Sequence, residues 1–287
     1  MRIYILGITG MLGAELFYRF SQLTEHKIRG CTRKKPENFF LKNNKMIDFN
    51  VSLKNLKKLK KKIYDFNPDY IINCVGYIKQ KISKKTNKNE VIFVNSIFPK
   101  ELLLIKNLNA RIIHFSTDCV FDGKMGNYND RSKPNAKDLY GRSKYLGELN
   151  HPKVITIRTS IIGHEISTKN GLLEWFLSKK NKCQGYANSF FSGLTTFEIF
   201  NFINNYLFKK NISGIYNLSS KKISKYYLLK MIAKIYKKKI IIKKKFSKKI
   251  DRSLNSKLIK EKLKYKAPSW KKMLETMYAN KRNLNYN

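Results

Sequence analysis

The sequence predicts an α/β fold in which helices cover both faces of a doubly wound parallel sheet. Short apolar runs alternate with stretches of helical periodicity, and glycines directly follow the first apolar run. Strands that are buried on both faces of a parallel sheet are typically continuous apolar runs. With 287 residues, the chain is long enough for one large α/β domain or for two smaller units that share a core.

The expected elements follow in chain order. The strand RIYIL precedes a helix from Met11 to Leu23, and the strands KIRGCT and KMIDF precede a helix from about Leu53 to Phe66. The strand DYIINCVG, the long helix NEVIFVNSIFPKELLLIKNL and the strand ARIIHFST come next, before a helix around Tyr140 and the strand KVITIRTS. Beyond Gly163 the alternation loosens into helices with two short strands, KCQGYA and GIYNLS. This change predicts a smaller, mixed α/β C-terminal region.

The charge of the chain is strongly positive, with 60 lysines and arginines against 19 aspartates and glutamates and a formal net charge of +41. Such a field attracts polyanions, so nucleic acid or an anionic membrane is one interpretation. The other is a lysine-rich composition with solvated charges, because Leu and Ile in LKKLKKKI and KKKIIIKKKFSKK recur at spacings that bury one face. No zinc-finger, RNP or helix-turn-helix pattern occurs. We therefore expect no nucleic acid as the main partner, and a preference for a multiply anionic substrate or cofactor.

Four cysteines are scattered along the chain without a C-x-x-C pair or a neighbouring histidine cluster: Cys31, Cys74, Cys119 and Cys183. They predict reduced thiols in a cytoplasmic protein and no metal-ligand constellation. No stretch approaches the roughly 20 apolar residues of a membrane-spanning helix, so we expect no insertion into a membrane. The glycines that interrupt the apolar N-terminus argue against a signal peptide.

The loop GITGMLG after the first strand carries glycines at positions 7, 10 and 13. Such glycines permit a tight turn, close approach of the backbone to a pyrophosphate, and close packing of the helix on the strand. The following helix then directs its N-terminal N–H groups at phosphate. We therefore predict a dinucleotide-binding loop formed by Gly7, Thr9, Gly10, Met11, Leu12 and Gly13.

The end of the second strand indicates which dinucleotide binds. An acidic residue there favours NAD, because it accepts a hydrogen bond from the adenosine ribose, whereas this sequence has CTRKK. Thr32, Arg33 and Lys34 can bind a 2′-phosphate, which predicts NADP(H) as the cofactor. The alternative is a lysine-rich loop that arose by chance in a basic chain.

The stretch DLYGRSKYLGE places Tyr140 and Lys144 four positions apart. On a helix, residues with this spacing share a face and lie about 6 Å apart. A phenol with a pKa of ~10 exchanges protons poorly at neutral pH, and a neighbouring ammonium lowers that pKa toward the working range. We therefore predict that Tyr140 is a proton donor tuned by Lys144. For an isolated pair of this kind, the alternative is an incidental surface contact.

Several segments occur in the order seen in one family of enzymes: GITGMLG, DYIINCVG, VNSIFPKEL, STDCVFDG, YGRSKYLGE, IRTSIIG and FSGLTTFEI. With them the chain resembles the extended short-chain dehydrogenases/reductases, and more narrowly the dTDP-4-dehydrorhamnose reductase family of nucleotide-sugar reductases. The resemblance runs from residue 3 to about residue 200 and is most specific where STDCVFDG precedes the Y-x-x-x-K pair. Cys119 replaces the family's usual tyrosine, and SGLTT replaces a G-x-P-T type segment. Both departures lie on the substrate side.

The resemblance implies roles around the reacting group. Thr117 corresponds to the catalytic hydroxyl that binds the substrate carbonyl, and Ser116 beside it is a second candidate that strand alternation does not separate from it. Lys144 gains a second role, which is to bind the nicotinamide ribose. Ser116, Asp118 and Lys79 are the candidates for substrate binding.

The resemblance also implies contacts along the cofactor. Asp48 and Phe49, which end the third strand, resemble the family's adenine-contacting pair. Val75 and Gly76 follow the fourth strand and are expected to pass along the cofactor, where the glycine gives the backbone clearance. Asn95 resembles a helix asparagine that supports the active site.

These observations predict an NADP-binding Rossmann domain at residues 1–162, completed by elements near 190–220, and a mainly substrate-binding region at 163–287. The resemblance implies a cytoplasmic, NADPH-dependent reductase of a 4-keto nucleotide-diphosphate sugar in deoxysugar and surface-polysaccharide biosynthesis. A nucleotide-sugar epimerase of the same fold and a non-catalytic regulatory subunit that binds NADP remain as alternatives. Tyr140, Lys144 and Thr117 together argue against the subunit. The sugar, the nucleotide and the formation of a homodimer stay open.

Overall fold

The computed structural model describes residues 1–33, 46–105 and 109–281. Within these residues, the central sheet has seven strands: β1 (Arg2–Leu6), β2 (Lys27–Cys31), β3 (Ile47–Asp48), β4 (Tyr70–Asn73), β5 (Arg111–Ser116), β6 (Val154–Arg158) and, later in the chain, β11 (Gly214–Asn217). The short strands between and after these are β7 (Ile161–Ile162), β8 (Lys182–Tyr186), β9 (Ser189–Phe191), β10 (Leu194–Thr195), β12 (Ile223–Ser224), β13 (Ile241–Lys245) and β14 (Ile250–Asp251).

Ten α-helices lie within the described ranges. They are α1 (Met11–Ser21), α2 (Leu56–Phe66), α3 (Lys88–Ile92), α4 (Phe98–Glu101), α5 (Leu139–Leu146), α6 (Leu172–Leu177), α7 (Thr196–Phe202), α8 (Lys225–Ile235), α9 (Lys257–Leu263) and α10 (Trp270–Lys281).

The predicted fold class is confirmed. The spatial order of the strands is β11-β6-β5-β4-β1-β2-β3, and every neighbouring pair is parallel. The first strand is therefore interior, and the chain winds outward from it in both directions. This is the doubly wound arrangement of a Rossmann-type sheet, whose ligands bind outside the carboxyl ends of the strands.

Both faces of the sheet are buried, as the continuous apolar strands require. In β1, Ile3 and Ile5 belong to the larger hydrophobic cluster, whereas Tyr4 and Leu6 belong to a second cluster on the opposite face. Alternate residues of a strand point to opposite faces, so one apolar run supplies both cores. The seventh strand, β11, pairs with β6 and comes from the C-terminal half of the chain.

The prediction of one long helix from NEVIFVNSIFPKELLLIKNL was wrong in its regularity. The segment contains α3, a π-helical turn at Phe93–Ile97, α4, and a 3₁₀ turn at Leu102–Leu104. Pro99 stands in the first turn of α4. Because proline has no N–H to donate to the preceding turn, it interrupts the α-helical hydrogen-bond ladder at this point. The wider turn carries Asn95, which is completely buried.

Candidate active site

The glycine loop after β1 is shaped by backbone that has no room for side chains. Gly7 has a φ of +81°, a conformation that L-residues with side chains rarely adopt. A Cβ atom added at Gly13 would lie 2.2 Å from the Gly7 carbonyl oxygen, so α1 approaches the loop as closely as a helix can. Gly10 precedes α1, and no side chain caps this helix end. The N-terminal N–H groups of α1 are therefore suited to a phosphate.

A second stretch of bare backbone follows β4. A Cβ atom added at Gly7 would contact Val75 Cγ2 at 3.1 Å, and one at Gly76 would lie 3.9 Å from Lys144 Nζ. Gly7 is therefore next to Val75, and Gly76, the following residue, is next to Lys144. These positions mark a line from the start of α1 to Lys144. We call the residues along this line, Gly7, Gly13 and Gly76, the cofactor side of the site.

Asn95 holds the end of this line in place. Its Oδ1 atom accepts a hydrogen bond from the Tyr77 N–H at 2.8 Å, and its Nδ2 group donates to the Tyr77 carbonyl at 3.1 Å and to Ser143 Oγ at 3.0 Å. One buried amide thus ties the backbone after Gly76 to α5, the helix that carries Tyr140 and Lys144. This contact is consistent with a supporting role.

Two glycines allow α5 to reach its position. A Cβ atom at Gly141 would lie 2.2 Å from the Cys119 carbonyl oxygen, and one at Gly147 would lie 1.9 Å from the Asn95 carbonyl oxygen. Asp138 caps the start of the helix by accepting a hydrogen bond from the Gly141 N–H at 3.1 Å. The helix is therefore pressed against both the turn after β5 and the π-helical turn.

Burial governs the protonation of Tyr140. Burial raises the pKa of Tyr140 above its ordinary value, while the Thr117 hydroxyl opposes this rise. The predicted net lowering of this pKa does not occur, because the effect of burial outweighs the others. Lys144 Nζ donates to the Phe115 carbonyl at 2.6 Å. Burial lowers the pKa of Lys144 itself to about 8, and the Glu148 carboxylate opposes that shift. Tyr140 is therefore held as a neutral phenol, the form that donates a proton.

The structure separates the two hydroxyls at the end of β5. Ser116 Oγ donates a hydrogen bond to Glu148 Oε1 at 2.7 Å, and Glu148 forms a buried ion pair with Arg158 at 2.7 Å. The Thr117 hydroxyl lowers the pKa of Tyr140 and donates a hydrogen bond to Asp118 Oδ1 at 3.2 Å. Thr117 thus lies beside the candidate proton donor. Ser116 is instead engaged by Glu148, which also pairs with Arg158.

The predicted adenosine contacts lie at the ends of β2 and β3. Thr32 is buried, and its N–H donates to the Asp48 carbonyl at 3.1 Å. Arg33 is exposed, and Lys34 lies outside the described residues. The Asp48 carboxylate accepts a hydrogen bond from the Tyr4 hydroxyl at 2.8 Å and lies near two cations, Arg29 and Lys62. Phe49 is half-buried against the larger core.

Several cations gather around Asp118, which is buried. Lys79 forms an ion pair with Asp138 at 3.1 Å. Burial lowers the pKa of Lys225, Asp118 opposes this shift, and Arg252 and Lys79 add to it, so the charges of these groups influence one another. Across the described part of the chain, the Lys225 side chain has no hydrogen bond or ion pair. We call Lys79, Lys225 and Arg252 the substrate side of the site.

Lys225 and Arg252 were missed from the sequence. Lys225 starts α8, and Arg252 follows β14, where its Nε group donates to the Phe121 carbonyl at 2.9 Å. Neither residue has a local motif that separates it from the other lysines and arginines of this basic chain. Only the packing of the C-terminal region against the turn after β5 brings them to Asp118.

Within the described ranges, no group of three or more histidine, cysteine, aspartate or glutamate side chains is arranged to hold a metal ion. The same residues contain no helix that is long and apolar enough to cross a membrane.

The fold is that of the extended short-chain dehydrogenases/reductases, the class that the sequence motifs predicted. Within that class, the chain belongs to the family described as "RmlD substrate binding domain", whose model matches residues 1–283. A family assignment that covers nearly the whole chain confirms the resemblance predicted from the motifs.

Solved structures share this fold. A dTDP-4-dehydrorhamnose reductase from Bacillus anthracis str. Ames, in complex with NADP, is 20% identical with a TM-score of 0.76 and covers 97% of this chain and 98% of its own. A UDP-glucuronic acid 4-epimerase from Bacillus cereus, in complex with NAD, is 19% identical with a TM-score of 0.76 over 99% of this chain and 100% of its own. At such identities the similarity establishes the fold alone.

One curated relative has a different description. The methionine adenosyltransferase 2 subunit beta of Danio rerio is 27% identical over 169 residues, which are 58% of this chain and 49% of that protein. The match therefore spans about half the length of this relative.

Proposed function

We propose that the protein is a reductase that uses NADPH to reduce the keto group of a 4-keto nucleotide-diphosphate sugar. The observation that carries the proposal is the position of Lys144. This ammonium lies 3.9 Å from where a Gly76 Cβ would be, and Lys144 is one helical turn from the half-buried Tyr140. The same residue is thus beside the cofactor side and on the helix that carries the proton donor.

The cofactor side fits a dinucleotide. The backbone at Gly13 leaves no space for a Cβ atom, and the φ of +81° at Gly7 disfavours a side chain there. The uncapped start of α1 offers N–H groups to a pyrophosphate. An exposed Arg33 at the end of β2 supports NADP rather than NAD, because a guanidinium binds a phosphate through paired charge-assisted hydrogen bonds. The reductase from Bacillus anthracis is itself in complex with NADP.

The chemistry divides among three side chains. When bound, NADPH supplies a hydride to the keto carbon, and negative charge develops on the keto oxygen. Tyr140 donates its proton to that oxygen, and Thr117 orients the oxygen with a hydrogen bond. A charged Lys144 stabilises the phenolate that remains, because an opposite charge favours the ionised form. Burial supports this assignment, since it keeps the phenol protonated before the reaction.

The substrate side supports a diphosphate as the anionic part of the substrate. Lys79, Lys225 and Arg252 are contributed by three separate segments and influence one another around Asp118. A lysine that is half-buried without a hydrogen bond has lost hydration that a bound anion restores. A nucleotide-diphosphate sugar carries its two phosphates between the base and the sugar, and these cations are suited to bind them.

The test is a screen of purified protein with NADPH against a panel of 4-keto nucleotide-diphosphate sugars, followed by loss of nicotinamide absorbance. A reductase oxidises one NADPH for each product formed. Interconversion of sugars without net oxidation would instead establish an epimerase. Tight NADPH binding without turnover of any sugar would favour a regulatory subunit, the kind of role that the description of the curated relative suggests.

A further inference from the structure

The two lysine-rich runs of the chain have different surroundings. The run LKKLKKKI forms part of α2, where Leu59 and Ile63 are buried and Lys57, Lys58 and Lys61 are exposed. This run behaves as an ordinary amphipathic helix with a solvated face. The run KKKIIIKKKFSKK does not, because Ile241 is 66% exposed and Phe246 is 69% exposed. Ile240 and Ile242 of this run are half-buried against the core, whereas Ile241 and Phe246 lie in solvent among the lysines.

The geometry of the second run is a two-stranded ribbon with one open face. The strand β13 pairs in parallel with β8, with Ile241 opposite Lys182, Lys243 opposite Gln184 and Lys245 opposite Tyr186. The helix α8 packs on the other face, where a Gly185 Cβ would touch Tyr226 at 2.9 Å. Because side chains alternate across a strand, Lys182, Ile241, Lys243 and Lys245 share the open face. We call these four residues the lysine ribbon. Phe246 follows β13 and lies with Lys244 on the side of α8, because Lys244 Nζ is over both the Phe246 ring and the Tyr226 ring.

The stretch of chain that contains β13 carries charge of one sign. The sequence between Glu198 and Asp251 contains no aspartate or glutamate, although lysines recur throughout it. Repulsion among these lysines is therefore not relieved locally by acidic side chains. A surface that combines exposed apolar side chains with unopposed positive charge is complementary to the interface of an anionic bilayer, where both features contribute to binding.

We propose that the lysine ribbon docks the protein on the surface of an anionic phospholipid membrane. Ile241 enters the interfacial region while Lys182, Lys243 and Lys245 contact the lipid headgroups. The docked protein lies on the membrane without spanning it. This proposal is independent of the proposed reductase activity, because none of these residues belongs to the candidate active site.

The same observations favour lipid over nucleic acid. Non-specific binding of single strands depends on aromatic rings on which bases stack. Here lysine ammonium groups already lie over the nearby rings, at 5.1 Å for Lys244 and Phe246 and at 5.8 Å for Lys245 and Tyr186. Ile241 has no aromatic face to offer a base, whereas an aliphatic side chain is stabilised by burial in an interface.

The experiment is sedimentation with phosphatidylcholine vesicles that contain or lack phosphatidylserine. The ribbon variant carries Lys182→Gln, Lys243→Gln and Lys245→Gln. The matched control carries Lys57→Gln, Lys58→Gln and Lys61→Gln on α2 and loses the same charge. We expect the unmodified protein and the control to bind vesicles that contain phosphatidylserine. The ribbon variant is expected to bind about 100-fold more weakly, from roughly a fivefold loss for each of the three lysines.

Two further measurements complete the test. Ile241→Ser leaves the charge unchanged, so a clear loss of binding in this variant supports insertion of apolar side chains. Unchanged thermal unfolding midpoints show that the variants remain folded. Equal losses in the ribbon and control variants would overturn the proposal in favour of net charge alone. Binding of a single-stranded RNA that depends on the ribbon, without binding to any vesicle, would overturn it in favour of nucleic acid.

Discussion

The cofactor side and the substrate side of the candidate site are built in different ways. On the cofactor side, Gly7 lies in the loop after β1, Gly13 lies in the first turn of α1, and Gly76 follows β4. On the substrate side, Lys79, Lys225 and Arg252 come from segments separated by more than half of the chain. The first side depends on local backbone shape, and the second depends on how the C-terminal region packs. Changes on the two sides are therefore expected to have separable effects on cofactor and on substrate.

The largest expected effect is a loss of turnover on substitution of Tyr140, which lies between the two sides. Tyr140→Phe removes one hydroxyl and with it the proton donor, and turnover is expected to fall by about 10²–10⁴-fold, the usual contribution of general acid catalysis. NADPH affinity is expected to stay nearly the same, because the glycine loop and Arg33 do not change. Single-turnover hydride transfer and the NADPH dissociation constant measure the two quantities. Near-normal turnover in this variant would make the Tyr140–Lys144 pair an incidental contact.

A second variant tests the buried network formed by Ser116, Glu148 and Arg158. Glu148→Gln leaves the buried Arg158 without its partner, which is expected to reduce the free energy of unfolding by about 3–5 kcal/mol. Lys144 has a pKa lowered to about 8, so turnover of the unmodified protein is expected to fall as the pH rises through that value. Without the Glu148 charge the pKa of Lys144 drops further, and the fall moves to lower pH. Glu148→Asp keeps the charge and serves as the control.

The result for this variant separates two roles of Glu148. A lower stability with an unchanged pH profile would mean that Glu148 only stabilises the fold. A shifted profile that returns to normal in Glu148→Asp would mean that its charge also sustains the charge of Lys144.

A third variant affects only the cofactor side. Gly13→Ala places a methyl group 2.2 Å from the Gly7 carbonyl oxygen, so the loop and α1 must separate. Such overpacking typically costs about 1–3 kcal/mol, and we expect NADPH affinity to fall with stability. Gly10→Ala is the matched control, because its added Cβ would lie at an ordinary 3.4 Å from the same oxygen. Equal NADPH affinities for the two variants would contradict the close approach of α1.

A fourth variant affects only the substrate side. Lys225→Met removes a charge at nearly constant volume, and the KM for the nucleotide sugar is expected to rise about tenfold, within the range for a charged hydrogen bond. Lys230→Met on the exposed part of α8 is the control and is expected to leave KM unchanged. Steady-state kinetics at saturating NADPH measure both values. A normal KM in Lys225→Met would exclude this lysine from diphosphate binding.

The smallest expected effect concerns the choice of dinucleotide. Arg33→Ala is expected to reduce the preference for NADPH over NADH by roughly tenfold, because one charge-assisted contact to the 2′-phosphate is lost. Dissociation constants for both cofactors, compared with those of Lys27→Ala at the other end of β2, measure this preference. Equal binding of NADPH and NADH by the unmodified protein would show that the CTRKK stretch does not select NADP.

The sequence by itself determined the features that depend on neighbouring residues. Apolar strands alternating with amphipathic helices predicted the parallel sheet, and the motifs predicted the family that the comparison with its model confirmed. The spacing of Tyr140 and Lys144 predicted their placement on one helix, because helical periodicity acts over a single turn. Even here, Pro99 divided a helix that its apolar pattern had predicted to be continuous.

Only the tertiary structure decided the features that depend on distant groups. Ser116 and Thr117 are equivalent in the sequence, and the position of Glu148 separates them by engaging Ser116. The direction of the Tyr140 pKa shift follows from burial, which no local pattern shows, and the Lys144 ammonium points to a strand carbonyl instead of the phenol. Lys225 and Arg252 reach Asp118 only because the C-terminal elements pack against the turn after β5. Solvation and charge depend on every group nearby in space, whereas a sequence motif specifies only those that are near along the chain.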